Sequence, residues 1–428
     1  MKTFLKWAAG FFTLAIAAVA LVWVLNGRDE VDVRTPVAAA APSDSLIARG
    51  AYLARAGNCQ ACHTVQGGQP YAGGRGIATP FGTVFTSNLT PDTKTGIGAW
   101  SSSHFWRAMH NGRSKDGRLL YPAFPYTSYT QVTREDSDAI FAYLNSLPAV
   151  AQPNQPHALR FPYQSQAALA VWRALYFSPG VYQPDSARSA EWNRGAYLVK
   201  GLGHCAACHT ARNALGASEQ RLDLAGGLIP MQNWYAPSLT SPYEAGVSDW
   251  DSQAIVSLLK NGVSPRASVT GPMAEVVQRS TQYLSDADLG AMAQFLKELP
   301  ASHTAPPQPA AIKTQGDSVE RAAKLYEQHC AQCHGAKGEG IANAYPALAG
   351  NRAVTMGQAV NLVQIVLNGG YAPSTAGNPR PFGMPPFVLA LNDPDMALVL
   401  THIRQSWGNK ASEITAVEVN RIRANSGR

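Results

Sequence analysis

The 428-residue chain has no cysteine outside three pairs, few charges and only one long apolar run, and each shortage excludes something. Charged residues make up 15% of it, and no Lys/Arg run reaches the density of a nucleic-acid patch despite a formal charge of +7. Nucleic acid is therefore not an expected partner. No Gly-x-Gly-x-x-Gly opens a helix after a strand, so a dinucleotide fingerprint is missing. A single segment is long and apolar enough to span a bilayer, which excludes a polytopic protein. At 46% hydrophobic the chain is too apolar for disorder, while 29 Pro and 37 Gly make it rich in loops. Its length suits roughly three domains at about 150 residues each.

The cysteines are Cys59, Cys62, Cys205, Cys208, Cys330 and Cys333. Each pair is Cys-x-x-Cys, followed at once by His63, His209 or His334. This is the attachment signature of c-type haem. Two thiols add to the porphyrin vinyl groups, and the next residue sets an imidazole against the iron as proximal ligand. Structural zinc wants four ligands, whereas each segment offers three, and the segments lie 146 and 125 residues apart. A thioredoxin-like pair has no need of an adjacent histidine three times over, and disulfides leave the histidines unexplained. The reading is three covalently bound haem c groups.

Covalent haem attachment in bacteria takes place outside the cytoplasmic membrane, so an export signal is expected. Trp7 to Leu25 is a 19-residue uncharged stretch, preceded by Lys2 and Lys6 and followed by Arg28, Asp29 and Glu30. That length is at the threshold for a span, and the lysines place the N-terminus inside. A cleaved signal peptide would have a shorter apolar region and a nearby small-residue site. The only such site, Ala38 to Ala41, lies more than ten residues beyond the run. The expectation is a retained anchor in the inner membrane, with the haem modules facing the periplasm.

The chain repeats itself. Arg49-Gly-Ala-Tyr-Leu opens ten residues before Cys59, Arg194-Gly-Ala-Tyr-Leu eleven before Cys205, and Arg321-Ala-Ala-Lys-Leu-Tyr nine before Cys330. Each reads as a short helix with Leu53, Leu198 or Leu325 on its apolar side. Asn88-Leu89-Thr90 and Ser238-Leu239-Thr240 precede Trp100 and Trp250 by 12 residues, and each tryptophan precedes Gly112 or Gly262 by 12. Helices are expected over 102–111, 252–261 and 361–368, with glycine stopping each. Closing helices are expected over 134–147, 285–299 and 393–407, with Thr133, Ser285 and Asn392 as N-caps. The expected fold class is all-α: three tandem cytochrome c-like haem modules behind an N-terminal transmembrane helix.

The division that follows is an anchor (1–27), an Ala/Pro tether (28–46), a first module (47–150), an aromatic connecting strap (151–187), a second module (188–301), a Pro/Ala-rich linker (302–318), a third module (319–410) and a C-terminal tail (411–428). The strap carries Phe161, Trp172, Tyr176, Phe177 and Tyr182, with a short helix expected over 167–175. It either packs two modules together or presents an aromatic surface to a partner subunit or the membrane interface.

A low-spin electron-transfer haem wants a second axial ligand, commonly Met or His, and a thioether raises the potential. The third repeat offers Met384 in Gly-Met-Pro-Pro-Phe, 50 residues after His334, with Met356 as the rival. The second offers Met273 in Gly-Pro-Met-Ala-Glu, 64 residues after His209, with Met231 and Met292 competing. The corresponding loop of the first is Leu120-Tyr-Pro-Ala-Phe-Pro-Tyr126, with Phe124 where the thioether belongs. Met109 aligns with core positions Leu259 and Val366, His104 aligns with Ala254, and His110 is expected to face solvent. The first haem is thus five-coordinate, or recruits Met109 or a histidine. No ligand role is assigned to His157, His204, His303, His329 or His402.

The chain from about residue 47 to 409 resembles the membrane-bound tri-haem cytochrome c subunits of bacterial periplasmic dehydrogenases. The resemblance rests on the three modules in this order, on Leu-Tyr-Pro-Ala-Phe-Pro-Tyr, Trp192-Asn-Arg-Gly-Ala-Tyr-Leu and Gly203-His-Cys-Ala-Ala-Cys-His-Thr. Trp234-Tyr-Ala-Pro-Ser-Leu-Thr, Gly271-Pro-Met-Ala-Glu and Arg404-Gln-Ser-Trp-Gly-Asn complete it. It implies a catalytic partner carrying FAD, PQQ or a molybdenum cofactor, acting on alcohols, sugars, gluconate or aldehydes, or on N-heterocycles. It also implies electron delivery to ubiquinone or another respiratory acceptor. Alcohol-dehydrogenase members often have Met at position 124; Phe here is similar to members paired with molybdenum hydroxylases. The leading expectation is an electron-transfer subunit without catalytic residues. The alternative is a haem enzyme of peroxidase or reductase type using an open first haem. A diffusible carrier is disfavoured by the anchor.

Overall fold

The computed structural model describes residues 2–30, 32–33, 41–302, 316–342 and 344–425. The chain divides into two compact units. One comprises Met1–Pro184 with Lys200–His204 and Ala214–Ala217, and the other Asp185–Val199, Cys205–Asn213 and Ser218–Arg428. Two units stand where three modules were expected: most of the second repeat groups with the third, while Lys200–His204 and Ala214–Ala217 of the second repeat group with the first. Most of the expected linker 302–318, including His303, and much of the tether 28–46 lie outside the described residues.

Each repeat is framed by an entry helix and a closing helix. The entry helices are Asp44–Ala56, Ala190–Tyr197 and Gly316–His329; the closing helices are Arg134–Ser146, Asp286–Lys297 and Asp393–Gln405. Thr133, Ser285 and Asn392 accept from the third residue of each closing helix through their side-chain oxygens, as N-caps do. In the first two repeats the helices meet through glycine. A Cβ on Gly50 would lie 1.9 Å from the Ala139 carbonyl oxygen, and one on Gly195 would lie 2.0 Å from that of Ala291. The arginine before each of these positions pairs with a closing-helix aspartate: Arg49–Asp136 at 2.5 Å, Arg194–Asp288 at 2.8 Å and Arg321–Asp395 at 2.6 Å.

Middle helices Ser102–Asn111, Ser252–Asn261 and Val360–Asn368 run beneath, and each stops at a positive-φ glycine: Gly112, Gly262 and Gly369. Between them lie apolar cores, with Leu53, Ile140 and Leu144 in the first repeat, and Ile255, Leu289 and Phe295 in the second. The third core joins Val363, Leu367, Met396 and Leu400 to Val419 and Ile422 of a terminal helix, Ala416–Asn425. The region expected as a tail therefore contributes to a core.

The chain is predominantly helical, but all-α is too strict. Among the described residues four small antiparallel sheets are present, built from strands of two to four residues. Two of them, Gly76–Thr79 with Gly82–Phe85 and Gly227–Ile229 with Trp234–Ala236, stand at equivalent places in the first two repeats. Such strands are too short to show an alternating pattern in sequence.

Within the first unit, the apolar N-terminal helix Lys2–Asn26 ends against the strap helix Gln166–Tyr176. Asn26 donates from Nδ2 to the Ala170 carbonyl at 2.9 Å and accepts from Arg173 Nε at 2.9 Å. Just beyond, Glu30 pairs with Arg113 at 3.1 Å, and Asn111 donates to the Asp29 carbonyl at 3.0 Å.

Candidate haem-attachment sites

Each cysteine pair sits on about one turn of helix: Cys59–Cys62, Ala206–His209 with Cys205 just before it, and Ala331–His334 with Cys330 just before it. One turn sets the two thiols side by side, and none of the six is in a disulfide. Burial, with the second thiol of each pair adding to it, pushes Cys59 and Cys205 up to about 12 and Cys330 up to about 11. Thiols held protonated this way are not poised thiolates of the redox or zinc-binding kind. Among the described residues no cluster of three or more His, Cys, Asp or Glu would hold a bare metal ion.

The histidines are oriented in the same way three times. Nδ1 of His63 lies 2.7 Å from the Ser87 carbonyl, that of His209 lies 2.7 Å from the Pro237 carbonyl, and that of His334 lies 2.9 Å from the Pro346 carbonyl. A carbonyl partner makes Nδ1 the donor and leaves Nε2 with its lone pair free to bind iron. Burial holds His63 and His209 below the ordinary imidazole value, against the opposing pull of their carbonyl bonds. The neutral form is the one that ligates a metal. The donor set therefore fits haem c: two thiols, one neutral imidazole and a fixed ring orientation.

The small sheets explain the carbonyls. Ser87 follows strand Gly82–Phe85 by two residues, and Pro237 directly follows Trp234–Ala236. In the third repeat the bridge between Ile341 and Tyr345 ends one residue before Pro346. A second support recurs too. Gly73, Gly226 and Gly340 each donate a backbone N–H to the carbonyl of the repeat's histidine at 2.8 Å. All three have φ between 68° and 85°, and a Cβ at any of them would come within 2.6 Å of a neighbouring atom, so glycine alone suits the position. Sequence reading missed both devices. A backbone carbonyl leaves no residue-type signature, but the glycine recurring 6 to 17 residues after each histidine was a visible signal.

Met384 lies in the short strand Gly383–Met384, paired with Gly370–Tyr371. It packs against the same core as Cys330 and Ala331, and with Tyr371, Pro385 and Pro386 it lines a cavity of about 550 Å³. Met356, its rival, caps the end of Arg352–Thr355, and its side chain is buried. Its carbonyl accepts from the buried Arg404 guanidinium at 3.0 Å, which gives the Arg404-Gln-Ser-Trp-Gly-Asn motif a structural role. Met273 stands at the start of helix Pro272–Arg279. The Trp234 ring packs against Gly271 before it, so one strand adjoins both the His209 carbonyl partner and the methionine turn. Met292 is buried in the closing helix, and Met231 is exposed.

The first repeat differs. Phe124 packs near Tyr129 with ring centroids 5.4 Å apart, and Tyr129 donates its hydroxyl to the Gly57 carbonyl at 2.8 Å. Met109 is 4% exposed in the core of its helix. His110 does not face solvent: it is 6% exposed, stacks on Trp106, and its Nδ1 lies 2.9 Å from the Thr130 carbonyl. Its place on the inner face of the Ser102–Asn111 helix overrides what its alignment with Lys260 suggested. His104 completes the helix cap with Ser101, and His157 accepts from the Phe85 N–H. His204 bonds the Gly57 carbonyl and meets the Tyr129 ring edge-on.

The sequence profile described as "Cytochrome c" matches residues 47–148 and 319–407. The cytochrome c subunit of a quinone-linked alcohol dehydrogenase from Gluconacetobacter polyoxogenes is 39% identical over 406 residues, covering 91% of this chain and 86% of that one. The chain belongs to the family of dehydrogenase cytochrome c subunits. A gluconate 2-dehydrogenase cytochrome c subunit from Pantoea cypripedii is likewise 39% identical, over 89% of this chain and 90% of its own. A nicotinate dehydrogenase subunit from Pseudomonas putida is 38% identical over 96% of this chain, which spans 35% of that longer protein. For a cytochrome c subunit the carbonyl-oriented histidines and paired thiols are the expected equipment, and the middle repeat carries them although the profile match omits it.

Proposed function

We propose that the chain is a tri-haem electron relay, anchored in the inner membrane by Lys2–Asn26, with three cytochrome c modules in the periplasm. It would accept electrons from a dehydrogenase catalytic subunit and deliver them to ubiquinone or another respiratory acceptor. The observation that carries this reading is the threefold recurrence of one donor set: Cys59, Cys62 and His63; Cys205, Cys208 and His209; Cys330, Cys333 and His334, each histidine turned by a backbone carbonyl. Haem c, when bound, supplies a reversible one-electron iron couple. The chain's own part is to hold and orient. The thiols fix the group covalently, the carbonyls of Ser87, Pro237 and Pro346 set the imidazole planes, and Met273 and Met384 offer thioethers that favour the reduced state.

Oxidation of CH–OH, aldehyde or heterocyclic donors then belongs to the partner, which would carry FAD, PQQ or a molybdenum cofactor. This follows the alcohol, gluconate and nicotinate dehydrogenases in which its relatives are subunits. The test is a mild-detergent pull-down of the tagged chain from its native membranes, with mass spectrometry, cofactor spectra and metal analysis. A large subunit with one of these cofactors, and three haems per chain, is the expected outcome. A chain that emerges alone with fewer haems overturns the proposal.

Phe124 favours a second reading, in which an open first haem turns over peroxide or another small oxidant. Peroxide-dependent oxidation by the isolated chain, lost with His63→Ala and kept with Met384→Ala, would support it. Absence of turnover in the wild-type chain would remove it.

A further inference from the structure

We infer that the strap helix Gln166–Tyr176, with Phe161 just before it, lies on the lipid surface beside the N-terminal helix as a second membrane contact. This rests on reading Lys2–Asn26 as a retained membrane span.

Depth fixes the strap first. The uncharged stretch Trp7–Leu25 covers about 28 Å at 1.5 Å per residue, close to a hydrocarbon core of about 30 Å. Asn26 therefore leaves the hydrocarbon at its edge. Its side chain bonds both the Ala170 carbonyl and Arg173 Nε, each at 2.9 Å, so the strap helix sits at the depth of the lipid headgroups. This contact is not a loose approach. Arg113 also donates to the Asn26 carbonyl at 3.2 Å, and Arg173 is 3% exposed.

The chemistry of the outer face agrees with that depth. Leu169 and Arg173 point inward and are buried. Val171 and Leu175, four residues apart on the opposite face, are 47% and 63% exposed, and Phe161 is 83% exposed. Trp172 is partly exposed and its indole N–H is satisfied by the Leu215 carbonyl, which leaves an apolar ring at an interfacial position. The helix carries no carboxylate, and none occurs between Asp138 and Asp185, whereas Arg160 and Arg173 do. An apolar helix face in an acid-free segment, held at the exit of a span, is the chemistry of an interfacial helix on the lipid surface.

The test places a photoreactive phenylalanine analogue singly at Leu14, Phe161, Val171, Leu175 and Lys94 of the full haem-loaded chain. Each variant is irradiated in native membranes and its adducts are read by mass spectrometry. Lipid adducts at 14, 161, 171 and 175, with none at 94, support the inference. Lipid at 14 with protein adducts or none at 171 and 175 overturns it while sparing the anchor. Absence of lipid at 14 overturns both.

Discussion

Phe124 occupies the loop position where the second and third repeats place Met273 and Met384. A methionine there would offer the first haem a thioether while still filling space beside the Tyr126 and Tyr129 rings. On the five-coordinate reading of the first haem, Phe124→Met is expected to convert it to low spin, seen as loss of the high-spin ferric signal and of carbon monoxide binding; a haem already ligated by Met109 or a histidine would show no such change. On the proposed ligation, Met384→Ala is expected to make the third haem high spin and lower its midpoint potential, since a thioether favours the ferrous state. His110 gives a pH prediction. Burial holds it below the ordinary imidazole value, with the Thr130 carbonyl and Asp29 opposing. The unfolded chain therefore takes up a proton that the folded chain refuses. Stability is full above about pH 6.5 and falls below it. His110→Gln should flatten the part of this loss due to His110, measured as the urea midpoint at neutral pH and at about pH 5.5. At this scale the paired thiols and the histidines beside them stood out in the sequence because haem attachment demands particular residue types at fixed spacing. The burial of His110 did not, because alignment with Lys260 says nothing about which neighbours surround it.

The middle and closing helices were legible to within one or two residues, whereas Pro272–Arg279 and Ala416–Asn425 were not expected as helices. Caps and glycine stops are local, and 102–111 and 252–261 were expected as they occur. The hairpins that carry the histidine-orienting carbonyls were not, since their strands have two to four residues. The tightest point between elements is the entry-to-closing helix contact at Gly50 and Gly195. An alanine there would press a methyl group onto a carbonyl oxygen. Gly50→Ala or Gly195→Ala is expected to destabilise its repeat by about 1–3 kcal/mol, as overpacking does, in chemical denaturation followed by haem absorbance. The third repeat has Ala322 at the matching position, so Ala322→Gly there should produce no such relief.

At the scale of the molecule, most of the second repeat joins the third in one unit through pairings no local pattern announces. Asn361 donates to the Tyr235 carbonyl at 2.6 Å and accepts its N–H at 2.8 Å across 126 residues. Asp249 accepts from Arg352 at 2.9 Å and Arg266 at 2.8 Å beside the Trp250 ring. Their hydrogen bonds outweigh its burial and hold its carboxyl below the usual range. Asn361→Ala removes the acceptor for one specific amide. Hydrogen exchange at Tyr235 should accelerate by the worth of a hydrogen bond, about 1 kcal/mol or several-fold, while the first unit is unchanged. The cysteine pairs, with their adjacent histidines, mark three repeated segments in the sequence. The partition into two units was not legible there, because it depends on side chain-to-backbone pairs between distant segments.

The bonds at Asn26 also have a mechanical meaning. A span joined to its soluble part by slack chain can lean in the bilayer without consequence. On the proposed reading of Lys2–Asn26 as a retained span, Asn26, Asp29 and Glu30 fasten it to the rest of the first unit, with no slack between. Hydrophobic mismatch, which spans usually relieve by tilting, would therefore turn the first unit with the helix. Bilayer thickness would then bear on the attitude of the first haem, and lipid composition would be part of the machinery that aligns it.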